Sequence, residues 1–332
     1  MLYLLSLIQF VILYIILKFL SPKLGLLDLP SIRKNHSGQI PMIGGLIIYL
    51  NILISSFYIE TSYYFSVIFY TSSILLLLGA IDDSRELGVI FRLVAQLISC
   101  LIIVGSGLVI SNIGDYGFLP NVKIGILSTF FTVFCVIGLT NSFNFIDGAD
   151  GLCSGLFIIS LLSLLFFAYQ SNSLYLIEDL NIIYLLLLSS IIFFIFNLSK
   201  NFKIFLGDSG SMFLGFMISW LLIFYTQKNE FIHPVLAIWC VTLTTFDIIT
   251  VVIRRILRGS NPFKPDRRHI HHILLDRGYN KKNVTLSLIL IAVIFNMIGI
   301  IVLLNFGESF SLLCYFLLFL IYFCFNIKLS RY

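Results

Sequence analysis

Charge is what this sequence has least of. Only 11% of its 332 residues are Asp, Glu, Lys or Arg, whereas 59% are hydrophobic. So little charge excludes an ordinary water-soluble domain. Internal repeats and low-complexity tracts are missing too, which removes solenoids and flexible linkers. No Cys-x-x-Cys pair occurs. Cys100, Cys135, Cys153, Cys240, Cys314 and Cys324 lie in or beside apolar runs, so they read as buried free thiols rather than as disulfides or a zinc site. No loop is long enough for a soluble domain, and residues 1–332 read as a single polytopic membrane domain. The loop after the first apolar run, Ser21–Gln39, lacks a small-residue cleavage site, so that run is expected to be a retained span.

What is abundant is apolar length. Runs near 20 residues recur, the length that crosses about 30 Å of hydrocarbon. Eleven spans are expected. Six are Leu2–Leu20, Ile40–Tyr58, Tyr63–Ile81, Phe91–Ser111, Ile124–Phe145 and Leu152–Tyr169. Five more are Ile182–Leu198, Gly210–Thr226, His233–Leu257, Thr285–Asn305 and Ser309–Ile327. Pro234 is tolerated at the start of the ninth. With the N-terminus outside, every Lys and Arg except Lys123 and Lys228 falls on the inward side. The net charge of +5 therefore speaks of orientation and does not call for nucleic acid. The expected fold class is an all-α integral membrane protein of about eleven transmembrane helices, with the N-terminus outside, the C-terminus cytoplasmic and the active site on cytoplasmic loops.

The polar exceptions gather on that inward face. Between two apolar runs lies N-S-F-N-F-I-D-G-A-D-G-L, with Asn141, Asn144, Asp147 and Asp150. Hard oxygens near a bilayer suit Mg2+ bound to a phosphate substrate; a capped turn is the plainer reading. Asp82 and Asp83 end an apolar helix and oppose its dipole, a cost that a cation would offset. Asp208 opens the eighth span. It is either an N-cap or a metal ligand, and Ser209, Gly210 and Ser211 beside it offer helix N-terminal amides to a phosphate. Asp247 lies inside an apolar run, where a lone acid marks function or a buried partner. Arg33, Lys34 and His36 in the first inward loop either meet phosphate or anchor the span at headgroups. In the largest inward loop Arg267 and Arg268 precede His269, His271 and His272, a phosphate-binding or acid–base cluster or else a solvated basic loop. Acids for a metal, a basic loop for phosphate and a surrounding bilayer together suggest joining a charged cytosolic donor to a lipid. A transporter would instead hold its charges near the midplane.

Five pieces, G-L-L-D-L-P-S-I-R-K-N-H, G-A-I-D-D, N-S-F-N-F-I-D-G-A-D-G-L, F-L-G-D-S-G-S and N-P-F-K-P-D-R-R-H-I-H-H, run in order from Gly25 to His272. In them the chain resembles the polyprenyl-phosphate N-acetylhexosamine-1-phosphate transferases. The H-I-H-H ending is similar to the bacterial branch that makes undecaprenyl-diphosphate GlcNAc. The resemblance implies transfer of GlcNAc-1-phosphate from UDP-GlcNAc to undecaprenyl phosphate in a bacterial inner membrane, starting a cell-surface polysaccharide. Another UDP-N-acetyl sugar is the alternative donor, and a homodimer is left open. It implies Mg2+ or Mn2+ at Asn144 and Asp208, and catalytic acids Asp82, Asp83, Asp147 and Asp150. It also implies substrate contacts from the basic loop, to which Arg33, Lys34, Asn141 and Ser209 are added as substrate-binding residues. The C-terminus stops without the long basic tail of some relatives.

Overall fold

The computed structural model describes residues 1–29, 38–170, 179–228, 232–259 and 269–330. Its long helices are α1 (Leu2–Leu24), α3 (Tyr63–Arg85), α5 (Ser128–Ile146), α6 (Leu152–Gln170), α7 (Leu180–Leu198), α8 (Gly207–Gln227) and α12 (Lys281–Leu329). Between them lie α2 (Gly44–Ser55), α4 (Val89–Gly105), α9 (Pro234–Cys240), α10 (Thr242–Leu257) and α11 (Ile270–Asp276). Seven helical stretches are long and apolar enough to cross a membrane, and α9 with α10 makes an eighth if counted as one bent span. The expected all-α membrane class holds at that level. One departure is a short antiparallel pairing of β1 (Leu27–Asp28) with β2 (Ile40–Pro41).

Helix α8 is the axis of the molecule. Every residue from Ser209 to Thr226 is buried, and its most extensive neighbours are α3 and α5. Lipid tails are as apolar as Leu, so helices in a bilayer are held by close packing and hydrogen bonds rather than by flight from water. Both are present here. A Cβ on Gly45 would stand 2.2 Å from the Gly210 Cα, and one on Gly79 would stand 2.4 Å from the Ser209 Cα. Only glycine lets α2 and α3 approach the first turn of α8 this closely. The α2 amides of Gly44 and Gly45 donate to the carbonyls of Phe205 and Leu206 at 2.9 and 3.2 Å, tying the segment before α8 to the start of α2. Deeper in, Asn51 Nδ2 donates to Ser6 Oγ at 2.8 Å and to Ser189 Oγ at 2.7 Å, joining α2 to α1 and α7. Such bonds contribute about 0.6 kcal/mol each on average.

The expected ninth span is not one straight helix. It breaks at Val241 (φ −123°, ψ 26°) and turns by 81°. Carbonyls around the break find hydroxyls from other helices. Ser160 Oγ donates to the Cys240 carbonyl at 2.8 Å, and Ser142 Oγ donates to the Thr244 carbonyl at 2.7 Å. A break at membrane depth survives only when neighbours satisfy the freed groups this way. Helix α12 would be about 74 Å long if straight. It is interrupted at Gly307 (φ 78°), and its two halves fold back as a hairpin. Arg277, just before the first half, donates to the Leu329 carbonyl at the end of the second.

Contacts sort the loops into two ends. At one end α3 and α5 finish where α8 begins. At the other, Gln227 meets Asn112, His233 meets Asp115, and Ser309 donates to the Tyr116 carbonyl.

Candidate active site

The site forms where the C-terminal ends of α3 and α5 meet the N-terminus of α8. Asp83, on the last turn of α3, accepts the backbone N–H of Asp208 at 2.8 Å and of Ser209 at 3.2 Å. A carboxylate from one helix thereby caps another and complements its positive end. Gly207 sits at φ +76°, and a Cβ there would meet Asp83 Oδ2 at 2.4 Å, so the cap requires glycine before the acid. Of the three amides expected to be free for a phosphate, those of Ser209, Gly210 and Ser211, the first is taken by Asp83. Ser209 is fully buried against Gly79 and does not line an open surface.

Asp82 is buried as well. It accepts the Leu87 amide through Oδ1 and pairs with Arg92 at 3.1 Å through Oδ2. The same guanidinium nitrogen reaches Asp208 Oδ2 at 3.3 Å, so Arg92 on α4 bridges two acids. Asn144 Nδ2 donates to Asp208 Oδ1 and to Ser211 Oγ, both at 2.9 Å. Asp208 and Asn144 thus stand side by side, as the sequence pairs them. Asn141 does not join them. Its amide is engaged with Gln96 at 2.8 Å and with the Ile137 carbonyl at 2.8 Å. Asp150 pairs with Lys203 at 2.6 Å. The turn it shares with Asp147 is set by Gly151 (φ +77°), whose amide donates to Asn197 Oδ1 at 2.5 Å.

The histidine segment folds onto that turn. A Cβ on Gly148 would come within 2.3 Å of His271 Nε2, so glycine there admits the imidazole. The His269 ring lies 5.2 Å from that of Phe145, the residue after Asn144. His271 is fully buried, and neither ring nitrogen has a hydrogen-bond partner among the described residues. Burial, then the neighbouring charge of His272, pushes its pKa down to about 3. His272 is half-exposed, so the adjacent pair faces different surroundings. His269 is anchored through Nδ1 to Asp247 at 2.6 Å. Arg33, Lys34, Arg267 and Arg268 lie outside the described residues.

Oxygen donors and negative charge dominate this end. Burial, then the charges of Asp208, Asp83 and Asp150, raise the Asp147 carboxyl well above the usual carboxylate range. Among the described residues Arg92 and Lys203 are the cations paired with these acids. Among the described residues no three His, Cys, Asp or Glu side chains gather to hold an ion by protein alone. A carboxylate beside an amide, with excess negative charge around it, fits a hard divalent ion completed by water and substrate phosphate. Arg92, Lys203 and Asn197 stand in the site although sequence reasoning did not single them out, and Ser211, noted there for its amide, contributes its hydroxyl. Arg92, nine residues beyond Asp83 and the sole charged residue of α4, carried a usable signal.

Residues 65–226 match the family described as glycosyl transferase family 4. That match includes Asp82, Asp83, the 141–152 turn and Asp208, and ends before His269. The chain is 31% identical over 283 residues to the undecaprenyl-phosphate alpha-N-acetylglucosaminyl 1-phosphate transferase of Yersinia pestis, covering 84% of this chain and 77% of that one. It is 31% identical over 292 residues to the protein of the same name from Escherichia coli K12, with the same two coverages.

Proposed function

The chain belongs to glycosyl transferase family 4, and on that premise we propose that it transfers N-acetylglucosamine 1-phosphate from UDP-GlcNAc to undecaprenyl phosphate. The observation that carries the reading is Asp208 at the mouth of α8, held by Asn144 and Arg92, with the histidine segment folded onto the acidic turn beside it. The names of the Yersinia and Escherichia relatives support the same donor group and acceptor.

In this mechanism an oxygen of the lipid phosphate attacks the sugar-bearing phosphorus of UDP-GlcNAc. The new O–P bond forms as the bond to the bridging oxygen breaks, and that oxygen leaves with UMP. The sugar C1–O bond is untouched, so the anomeric configuration is kept. A phosphate monoester is mostly dianionic at pH 7, its second pKa being about 6, so little proton removal is needed. Positioning and charge neutralisation then carry most of the rate. Asp208 and Asn144 would hold Mg2+ or Mn2+, which when bound neutralises charge on the diphosphate. Asp83 fixes the α8 terminus and with it Asp208. Arg92 restrains Asp82 and Asp208 together and offers a guanidinium to phosphate. His269 and His272 face the donor's diphosphate, and buried His271 supports the turn at Gly148.

We further take the topology to be eleven spans in a bacterial cell membrane, N-terminus outside, with the site cytoplasmic. The separation of loop contacts into two ends, the Gly307 hairpin and the Lys/Arg bias support that count. The product would begin a cell-surface polysaccharide. The test of function is UMP release by purified protein from a panel of UDP-sugars with undecaprenyl phosphate. UDP-GlcNAc should be the preferred donor; preference for another UDP-N-acetyl sugar, or no release from any, overturns the reading.

A further inference from the structure

We propose that Asp247, in the membrane-spanning α10, is a positioning residue that sets the tautomer and orientation of His269 in the transfer site; this rests on the function proposed above. Asp247 is 1% exposed, and an acid at such depth demands partners. Three elements supply them. His269 Nδ1 lies 2.6 Å from Oδ2. The Ile270 amide, the first of α11, donates to Oδ1 at 2.9 Å, and the Tyr322 hydroxyl on α12 donates to the same oxygen at 3.3 Å.

An ionised carboxylate only accepts hydrogen bonds. Nδ1 must therefore carry the proton, and Nε2 becomes the one ring nitrogen left for a ligand. The ring is further held by Phe145, which stands between Asn144 and the acidic turn. The Ile270 amide fixes the backbone on the other side of His269, so one carboxylate controls both the ring and the chain that bears it. Its own place is set by a second contact two turns along α10, where Arg254 donates to Asn326 Oδ1 at 3.0 Å. Tyr322 and Asn326 are four residues apart and share a face of α12. The last span thus braces the acid that aims the histidine.

The experiment uses the full-length enzyme and two readouts. First, 15N spectra of imidazole-labelled protein, with His269 assigned by its loss in His269→Ala, should show His269 protonated at Nδ1. In Asp247→Asn that single tautomer should be lost. Second, UMP release by Asp247→Asn should fall about 10–100-fold in kcat/KM for UDP-GlcNAc, with the apparent KM for undecaprenyl phosphate unchanged. The double variant Asp247→Asn/His269→Ala should be no slower than His269→Ala alone, because both changes remove one unit. Tyr322→Phe should lose a few-fold and keep the Nδ1 proton. Wild-type His269 protonated at Nε2, wild-type kinetics in Asp247→Asn, or losses that multiply in the double variant would each overturn the proposal. If Asp247→Asn does not fold, the wild-type tautomer and Tyr322→Phe decide. A wild-type protein that releases no UMP from UDP-GlcNAc refutes the proposed function alone, since the tautomer still reports on Asp247.

Discussion

Gly79→Ala places one methyl group where α3 meets the first turn of α8. The new Cβ would lie 2.4 Å from Ser209 Cα, 2.5 Å from Ser209 N and 2.8 Å from the Asp208 carbonyl carbon, whereas ordinary contact begins at 3.4 Å. All three obstacles are backbone, so no side chain can swing aside. The helices must separate by about 1 Å, an overpacking cost of about 1–3 kcal/mol. Asp83 lies one turn beyond Gly79 and moves with it. Its bonds to the Asp208 and Ser209 amides, now 2.8 and 3.2 Å, would stretch past hydrogen-bonding range. Losing one such charged bond costs about 1.5–3 kcal/mol. A 1 Å misplacement near the chemistry costs about 100-fold in rate. Gly79→Ala should therefore lower UMP release about 100-fold and reduce the melting temperature in detergent. Gly138→Ala on α5, where a Cβ meets nothing within 4 Å, is the control and should keep full activity. Wild-type turnover and melting in Gly79→Ala would refute the claim that α3 and α8 must touch for the site to form.

Asp208→Asn should reduce turnover at least about 100-fold and Asn144→Ala nearly as far, since each removes a donor proposed for the divalent ion; near-full UMP release with normal metal dependence in either would show the donors misassigned. Cysteines introduced at Lys282 and Lys228 should label only from the cytoplasmic and the outer side, respectively; labelling of Lys282→Cys from outside would overturn the orientation.

The helical membrane class was legible because apolar runs of near-membrane length are a local property. Asp82 and Asp83 were legible as an acidic pair ending an apolar helix, but their separate partners were not. Asp83 caps amides 125 and 126 residues away. For the same reason the Ser209 N–H beside Asp208 looks available in one dimension and is taken in three. The break at Val241 was not readable because A-I-W-C-V-T-L-T contains neither Gly nor Pro. The hydroxyls of Ser160 and Ser142, which satisfy carbonyls beside it, come from other helices. Asp247 was legible as an acid that needed a partner, but nothing local pointed to His269 and Tyr322.

The reach from Asp247 to Tyr322 also orders events in time. The two residues are separated by 75 positions. At about 5–20 residues per second of synthesis, Tyr322 follows Asp247 from the ribosome by about 4–15 s. During that interval the acids of α3 and α8, Asp82, Asp83 and Asp208, are already synthesised while the brace on the histidine segment is not yet made. The fold at Gly307 must then bring the second half of α12 back beside α10 before Tyr322 reaches Asp247. A newly made chain thus gains its acidic centre first, the Asp247–His269 pair next and the brace from Tyr322 on that pair last.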